Sequence, residues 1–419
     1  MKDQRKFIHF HCFVFLFIIY PFTLSSTEYL TIGGEKHGWE VSVHPDRGTI
    51  KQFRQLMGDI WETIPFRDDS LAGPAWSGMQ LCPSKKQLYV FEAHQGDIYY
   101  TLRYKAAYDH LIVECTISNR GDDVFRPEYS RLFIGVDSEM KTYPDWDTKF
   151  FPTLLRCEKD FAWGYFMSPR QIIMGIGVEE PVASYTLNYV YEGSMEWKWR
   201  HQIKTGSLDL LHCLPLPERH PQNNISLKPH ETRKWTLHLG VVDRLAGVKE
   251  KLSQWIQAPM IECEKYTMAG HETSRLLIHS QSGLEKLIVK APDGTQSVLP
   301  VDGVADNVYS ALFSPSSQKG LYRITATAIN GKTAEAGIYI RNPWSWYMKN
   351  ARDFVARNPP LFSNGCEAFY GYYTAFLGAR HFPETSVDSI LEKRFNRTLP
   401  CFIDTLTWIP KSEAAPDRV

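Results

Sequence analysis

Ile98-Tyr99-Tyr100-Thr101-Leu102-Arg103-Tyr104, and soon after it Leu111-Ile112-Val113-Glu114-Cys115-Thr116-Ile117, decide the fold class. Both runs place apolar or aromatic side chains at every second position. Only an extended chain has a side-chain period of two, so one face of each run is built for a core and the other for water. The same alternation recurs upstream in Trp39-Glu40-Val41-Ser42-Val43. Downstream, Ile172-Ile173-Met174-Gly175-Ile176-Gly177 and Trp235-Thr236-Leu237-His238-Leu239 are further strand candidates. Turn clusters separate them: Pro45-Asp46-Arg47-Gly48, and Asn119-Arg120-Gly121-Asp122-Asp123. Many short strands punctuated in this way predict a large antiparallel sandwich over residues 27–245.

The pattern then changes. Val248, Leu252, Trp255 and Ile256 share one helical face, which predicts a linker helix within 246–259, ended by Pro259. A second β unit is expected over 260–342. Leu276-Leu277-Ile278 and Leu287-Ile288-Val289 are strands, and Pro292-Asp293-Gly294 is a turn. Asn330-Gly331 between two strand patterns predicts a two-residue hairpin in which both residues take positive φ. Tyr322, near a strand start, has the placement of a tyrosine corner in an immunoglobulin-like sandwich. From 343 onward the signals are helical. Trp346–Ala356 follows Pro343, an aromatic-rich helix runs from Glu367 to Phe382, and Ser386 is positioned to cap a third. Three short helices bury each other poorly. They either pack on the sandwiches or begin a larger helical domain.

Composition bounds the function. The 419 residues carry 47 Lys and Arg against 47 Asp and Glu, and 43% are hydrophobic. A balanced charge excludes a long disordered tail as the main component and argues against nucleic acid as a partner. Lys2, Arg5 and Lys6 precede the apolar run Phe13–Ile19 and the small residues Ser25-Ser26. That order predicts a secretory signal over residues 1–26, hence a periplasmic or extracellular protein; an uncleaved anchor is the rival reading. Seven cysteines follow it, none in a C-x-x-C pair. They form no zinc pattern and read as small buried hydrophobes.

No compact catalytic motif is present. There is no nucleophile elbow and no phosphate-binding loop, and His230-Glu231 and His271-Glu272 lack the second histidine of a zinc-protease helix. Asp145 and Asp147 are compatible with calcium or with a solvated turn. Glycan cleavage requires only two acidic side chains, which distant segments can supply. Three acidic positions stand out. Glu158 precedes the aromatic run Phe161–Phe166, whose Trp163 and Tyr165 are candidates for a sugar-stacking wall, with a plain strand core as the alternative. Glu367 opens a helix beside Tyr370, where its carboxylate either acts on substrate or complements the helix dipole. Asp404 lies among apolar residues and either titrates abnormally or caps. Glu367 and Asp404 are the catalytic candidates, and Glu158, Trp163, Tyr165 and Tyr370 the substrate-binding candidates. No metal and no cofactor is expected; the expected partner is an oligo- or polysaccharide.

Three stretches carry a resemblance. Trp39–Val43 with Gly48–Phe53 is similar to the opening hairpin of galactose-mutarotase-like supersandwiches. Tyr143–Pro169 resembles a later segment of such proteins, and Trp346–Pro383 resembles the first hairpin of an (α/α)6 barrel of the six-hairpin glycosidase type. The order resembles that of secreted bacterial glycan-degrading enzymes. The resemblance implies a glycoside hydrolase whose barrel would need twelve helices, so that this chain corresponds to its N-terminal part. A non-catalytic carbohydrate-binding protein and a polysaccharide lyase are the alternatives.

Overall fold

A computed structural model describes residues 28–66, 70–71, 76–83, 85–134, 151–168, 170–191, 201–214, 221, 223–316, 318–358, 367–402 and 404–409. The expected signal segment, Asp145 and Asp147 lie outside them.

Four strands, Leu30–Gly34 (β1), Trp39–Val43 (β2), Ile50–Met57 (β3) and Ile60–Pro65 (β4), form an antiparallel meander. The next eleven are Gln80–Leu81 (β5), Leu88–Gln95 (β6), Ile98–Ala106 (β7), Leu111–Asn119 (β8), Tyr129–Ile134 (β9), Phe151–Cys157 (β10), Ala162–Met167 (β11), Ile173–Val178 (β12), Ser184–Tyr191 (β13), His201–His212 (β14) and Thr232–Val242 (β15). Eight of them make one sheet in the order β10-β11-β12-β15-β8-β7-β6-β5, and β13-β14-β9 make another. The protein is therefore mainly β and antiparallel, as the alternation predicts. Strand β8 shows why: every second residue from Leu111 to Asn119 is buried, and the intervening ones are half-buried. The core of this region packs Trp39 against Phe53 (ring centroids 5.6 Å apart) and includes Phe91, Tyr104 and Trp235.

Helix α1 (Val248–Ile256) follows, with Val248, Leu252, Trp255 and Ile256 buried. It lies on β12 and β15, where the strands are unusually bare. Gly175 pairs with Gly240 across the ladder, and Gly177 stands two residues along. A Cβ on Gly177 would fall 2.5 Å from Ile256 Cγ2, and one on Gly240 would fall 2.8 Å from Trp255 Cη2. The glycines that weaken the strand pattern in sequence are thus what lets the helix backbone approach the sheet.

Nine more strands build a second, smaller two-layer sandwich: Met260–Cys263 (β16), Thr267–Ala269 (β17), Ser274–His279 (β18), Leu284–Lys290 (β19), Gln296–Val298 (β20), Gly303–Ala305 (β21), Val308–Phe313 (β22), Gly320–Ala328 (β23) and Thr333–Arg341 (β24). The two layers are β16-β18-β22-β21 and β17-β24-β23-β19-β20. One buried cluster runs from Phe161, Trp163 and Ile173 through α1 into Ile278, Ile324 and Ile338. The two sandwiches share it.

The β23–β24 hairpin departs from expectation. Gly331 alone of the Asn-Gly pair has positive φ, at 85°. Its N–H donates to the Ala328 carbonyl (2.9 Å), while the Ala328 N–H donates to Lys332 O (2.9 Å). This closes a three-residue loop, Ile329-Asn330-Gly331, in which only the last residue must be left-handed. Tyr322 does make a corner-type bond, its hydroxyl donating to the Gln318 carbonyl four residues back (3.1 Å) and lying 2.5 Å from Ser316 Oγ. Tyr322→Phe removes this bond, and the Gln318 carbonyl, on an exposed residue, turns to water instead. The substitution should cost about 0.5–1 kcal/mol of stability in denaturant unfolding, with no change of fold.

Three helices end the described chain: Trp344–Arg357 (α2), Glu367–His381 (α3) and Thr385–Phe402 (α4). Among the described residues their shared core includes Val355, Ala356, Ala375 and Leu391, while Trp344 and Phe354 are 61% and 65% exposed. Buried Arg352 ties the group together by reaching Glu384 (2.8 Å) and the Phe382 carbonyl. Ser386 is not the cap of α4. The helix begins one residue earlier, and Asp388 turns back to accept the Glu384 N–H (2.7 Å). Among the described residues no helix is long and apolar enough to cross a membrane.

Candidate functional site

The outer face of the five-stranded layer follows from its register. On β23, Arg323, Thr325 and Thr327 point away from the core, because Ile324, Ala326 and Ala328 fill it. Pairing sets Lys290 opposite Arg323, Ile288 opposite Thr325 and Lys286 opposite Thr327. On the other side, Glu335 stands opposite Thr325 and Thr333 opposite Thr327. The result is a polar sheet face with a cationic rim.

The edge strand of the large sheet, β10, ends against this face. The Arg156 guanidinium donates to the Glu335 carbonyl, and the Thr333 N–H and hydroxyl donate to Asp160 Oδ2 (2.9 and 2.6 Å). Between the two walls lies a cleft of about 570 Å3. Five cations line it (Arg156, Lys159, Lys286, Lys290 and Arg323) against two carboxylates, Glu158 and Glu335, with threonines on the floor. In a chain of zero formal charge, that is a local positive excess. Both carboxylates are engaged: Glu158 Oε1 lies 2.5 Å from Arg156 Nε, and Glu335 lies 3.6 Å from Arg323. Among the described residues no carboxylate comes within 4 Å of the ammonium groups of the exposed Lys159 and Lys290. A concave surface with fixed hydroxyls and uncompensated cations is suited to an anionic, hydroxyl-rich ligand.

Glu158 is 7% exposed. Burial pushes its carboxyl above the usual carboxylate range, and the Arg156 ion pair and hydrogen bonds from the Glu335 N–H and Trp163 only partly oppose this. A folded-state value raised above 4.5 means that the folded chain holds the proton more tightly. That contribution is fully present below pH 4.5 and is lost as pH rises through the folded value. Glu158→Gln should therefore flatten the unfolding free energy against pH just above 4.5, by at most about 1.4 kcal/mol per pH unit, the slope of one proton. Denaturant titrations across that range measure it.

The other sequence candidates are scattered. Trp163 is 6% exposed and, with fully buried Phe161, packs into the shared core beneath the Lys249 ammonium; it presents no stacking wall to solvent. Tyr165 is half-buried against the same cluster. The strand-core alternative describes this stretch, because β11 is an interior strand with α1 and the second sandwich against it. Glu367 and Tyr370 lie in the first turns of α3. Asp404 follows α4 and accepts the Leu406 and Thr407 N–H groups (2.9 and 3.0 Å), a local turn role. Of the candidates whose side chains are described, only Glu158 lines the cleft. The cleft residues Lys286, Lys290, Arg323 and Thr325 were not legible as a group, because their proximity is set by cross-strand register. The one available signal was the i, i+2 spacing of Arg323, Thr325 and Thr327 on β23, with Lys286 and Lys290 four apart on β19.

Of the cysteines, Cys115, Cys157 and Cys263 are buried, and Cys82 and Cys213 are half-buried. Burial pushes the Cys115 thiol far up and that of Cys263 to about 11. Neither is a nucleophile. Among the described residues no cluster of three or more His, Cys, Asp or Glu is arranged to hold a metal ion.

No protein-family model matches the sequence, and no curated protein matches it. Solved structures do. A polysaccharide lyase superposes with a TM-score of 0.67 at 14% identity, over 93% of this chain and 64% of its own. The chain thus has the fold of that protein over 64% of the latter's length. A galactose mutarotase related enzyme from Lactobacillus acidophilus is 7% identical over 52% of this chain and 98% of its own, at a TM-score of 0.31. A putative aldose 1-epimerase from Escherichia coli K12 is 11% identical over 51% and 99%, at 0.32. Scores of this size support no structural inference.

Proposed function

We propose that this chain is the β-sandwich portion of a secreted polysaccharide-degrading enzyme, and that the cleft between its two sandwiches holds an anionic glycan. The observation that carries the reading is the cleft lining: five cations facing two already paired carboxylates over a threonine floor. A uronate or sulfate group meets the cations, and ring hydroxyls meet Thr325, Thr327 and Thr333. Eliminative cleavage is favoured over hydrolysis by an extensive structural likeness to a polysaccharide lyase. Lyase chemistry needs a base such as Tyr or His near a group that neutralises the uronate charge. Among the described residues the cleft lining offers the cations but neither Tyr nor His, so the cleft is read as the binding part of the site.

Calorimetric titration of the purified chain with oligosaccharides of matched length tests this. Polyuronate or sulfated chains should bind, with affinity falling as salt screens the charges, and neutral glucans should not. Equal affinity for neutral and anionic chains, or none for either, overturns the reading.

A further inference from the structure

On the far side of the linker helix, two buried histidines stand between two carboxylates. His110 Nδ1 lies 2.7 Å from Asp109 Oδ1, His110 Nε2 lies 2.8 Å from His238 Nδ1, and His238 Nε2 lies 2.8 Å from Glu179 Oε1. All four ring nitrogens are thus committed, in three contacts. Each contact needs one proton. Two neutral imidazoles carry only two N–H groups between them, so a third proton must be present. It does not sit on a carboxylate. Burial acts to raise Asp109, but hydrogen bonds from Lys251 and His110 outweigh it and hold it at about 2; Glu179 is likewise held low by His238 and Lys332 against its burial.

We infer that Asp109, His110, His238 and Glu179 form a clasp closed by a single shared imidazolium proton, which fastens the linker helix to the large sheet. His238 donates through both nitrogens, to His110 Nε2 and to Glu179. His110 is the neutral Nδ1–H tautomer and donates to Asp109. That division agrees with the burial of His110, which depresses it to about 4 despite Asp109. When the shared proton leaves to water, two lone pairs face each other across 2.8 Å. When a fourth proton arrives, two N–H groups face each other instead. The contact is satisfied only between those states.

The clasp bears on α1 because Trp255 stacks on the His110 ring (4.7 Å between centroids) and Lys251 pairs with Asp109 at 2.5 Å. The charged and titratable groups around it come from every neighbouring element: Asp109 from the β7–β8 turn, Lys251 and Glu250 from α1, Glu179 and Glu180 after β12, Lys234 on β15, Asp243 and Arg244 just after it, His37 between β1 and β2, and Lys332 before β24. Lys332 also donates to the Ile256 carbonyl at the end of α1 (2.8 Å). The proton thus sits where the two sandwiches join.

Two measurements on the full chain test this. Nitrogen-15 spectra of histidine-labelled protein near neutral pH should show one ring protonated at Nδ1 alone, one doubly protonated ring, and a scalar coupling across the Nε2–Nδ1 contact. Two neutral rings, or no coupling, overturn the inference. Hydrogen-exchange protection factors of residues 248–256 should fall about tenfold on both the acid and the alkaline side of a maximum. Glu179→Gln, at a side chain 37% exposed, removes the anion that holds the shared proton, and should move the alkaline fall down by about one pH unit. A purely structural hydrogen bond would leave the position of that fall unchanged, and such a result also overturns the inference. His238→Gln should remove the maximum itself.

Discussion

The double variant Lys159→Glu/Lys290→Glu loses capture of anionic oligosaccharides by about two orders of magnitude while folding normally. The cleft changes from five cations and two carboxylates to three and four, so the sign of its field reverses. Each replacement removes one attraction and adds one repulsion. At about 0.5–1 kcal/mol for each partly screened interaction, the four changes sum to about 2–4 kcal/mol. Both side chains are exposed and lack a carboxylate partner among the described residues, so stability should shift by less than about 0.5 kcal/mol. Calorimetric titration gives the first quantity and denaturant unfolding the second. A binding loss accompanied by equal unfolding would show that the lysines act through the fold.

The second large effect is expected at Gly240. Valine there would place its Cβ 2.8 Å from both Trp255 Cη2 and His110 Cβ. Neither neighbour has room to yield. His110 is held by Asp109 and His238, and Trp255 is 7% exposed in the shared core. Overpacking of this kind costs about 1–3 kcal/mol when the surroundings relax. Here relaxation means lifting α1 from β12 and β15, so about 3 kcal/mol or more is expected. Tryptophan fluorescence during urea unfolding should report it as earlier exposure of Trp255. Anionic-glycan binding should weaken in parallel, because both cleft walls depend on the seam. Unchanged stability would mean that the helix does not rest on this strand.

The fold class could be read in sequence because burial alternates as the residues do, as in β8, where Leu111, Val113, Cys115 and Ile117 are all fully buried. Helix α1 was legible from the spacing of Val248, Leu252, Trp255 and Ile256. What stayed hidden depends on contacts between distant segments. Thr325 and Glu335 are polar residues in two strands until register places them side by side. The pairing of His110 with His238 spans 128 positions, which no local pattern reveals. Trp163 misled in the opposite direction. An aromatic run next to an acidic residue suggests a sugar platform, but a strand covered on both faces needs the same composition.

Lysine footprinting tests the central claim most directly, since it asks where the glycan sits. Brief acylation of the full chain with and without a saturating polyuronate oligosaccharide, read by mass spectrometry, should show Lys159, Lys286 and Lys290 shielded about tenfold. The exposed Lys36 and Lys228, which lie outside the cleft lining, should react at unchanged rates. Equal shielding of all five, or shielding that spares the three cleft lysines, would contradict the assignment of the cleft.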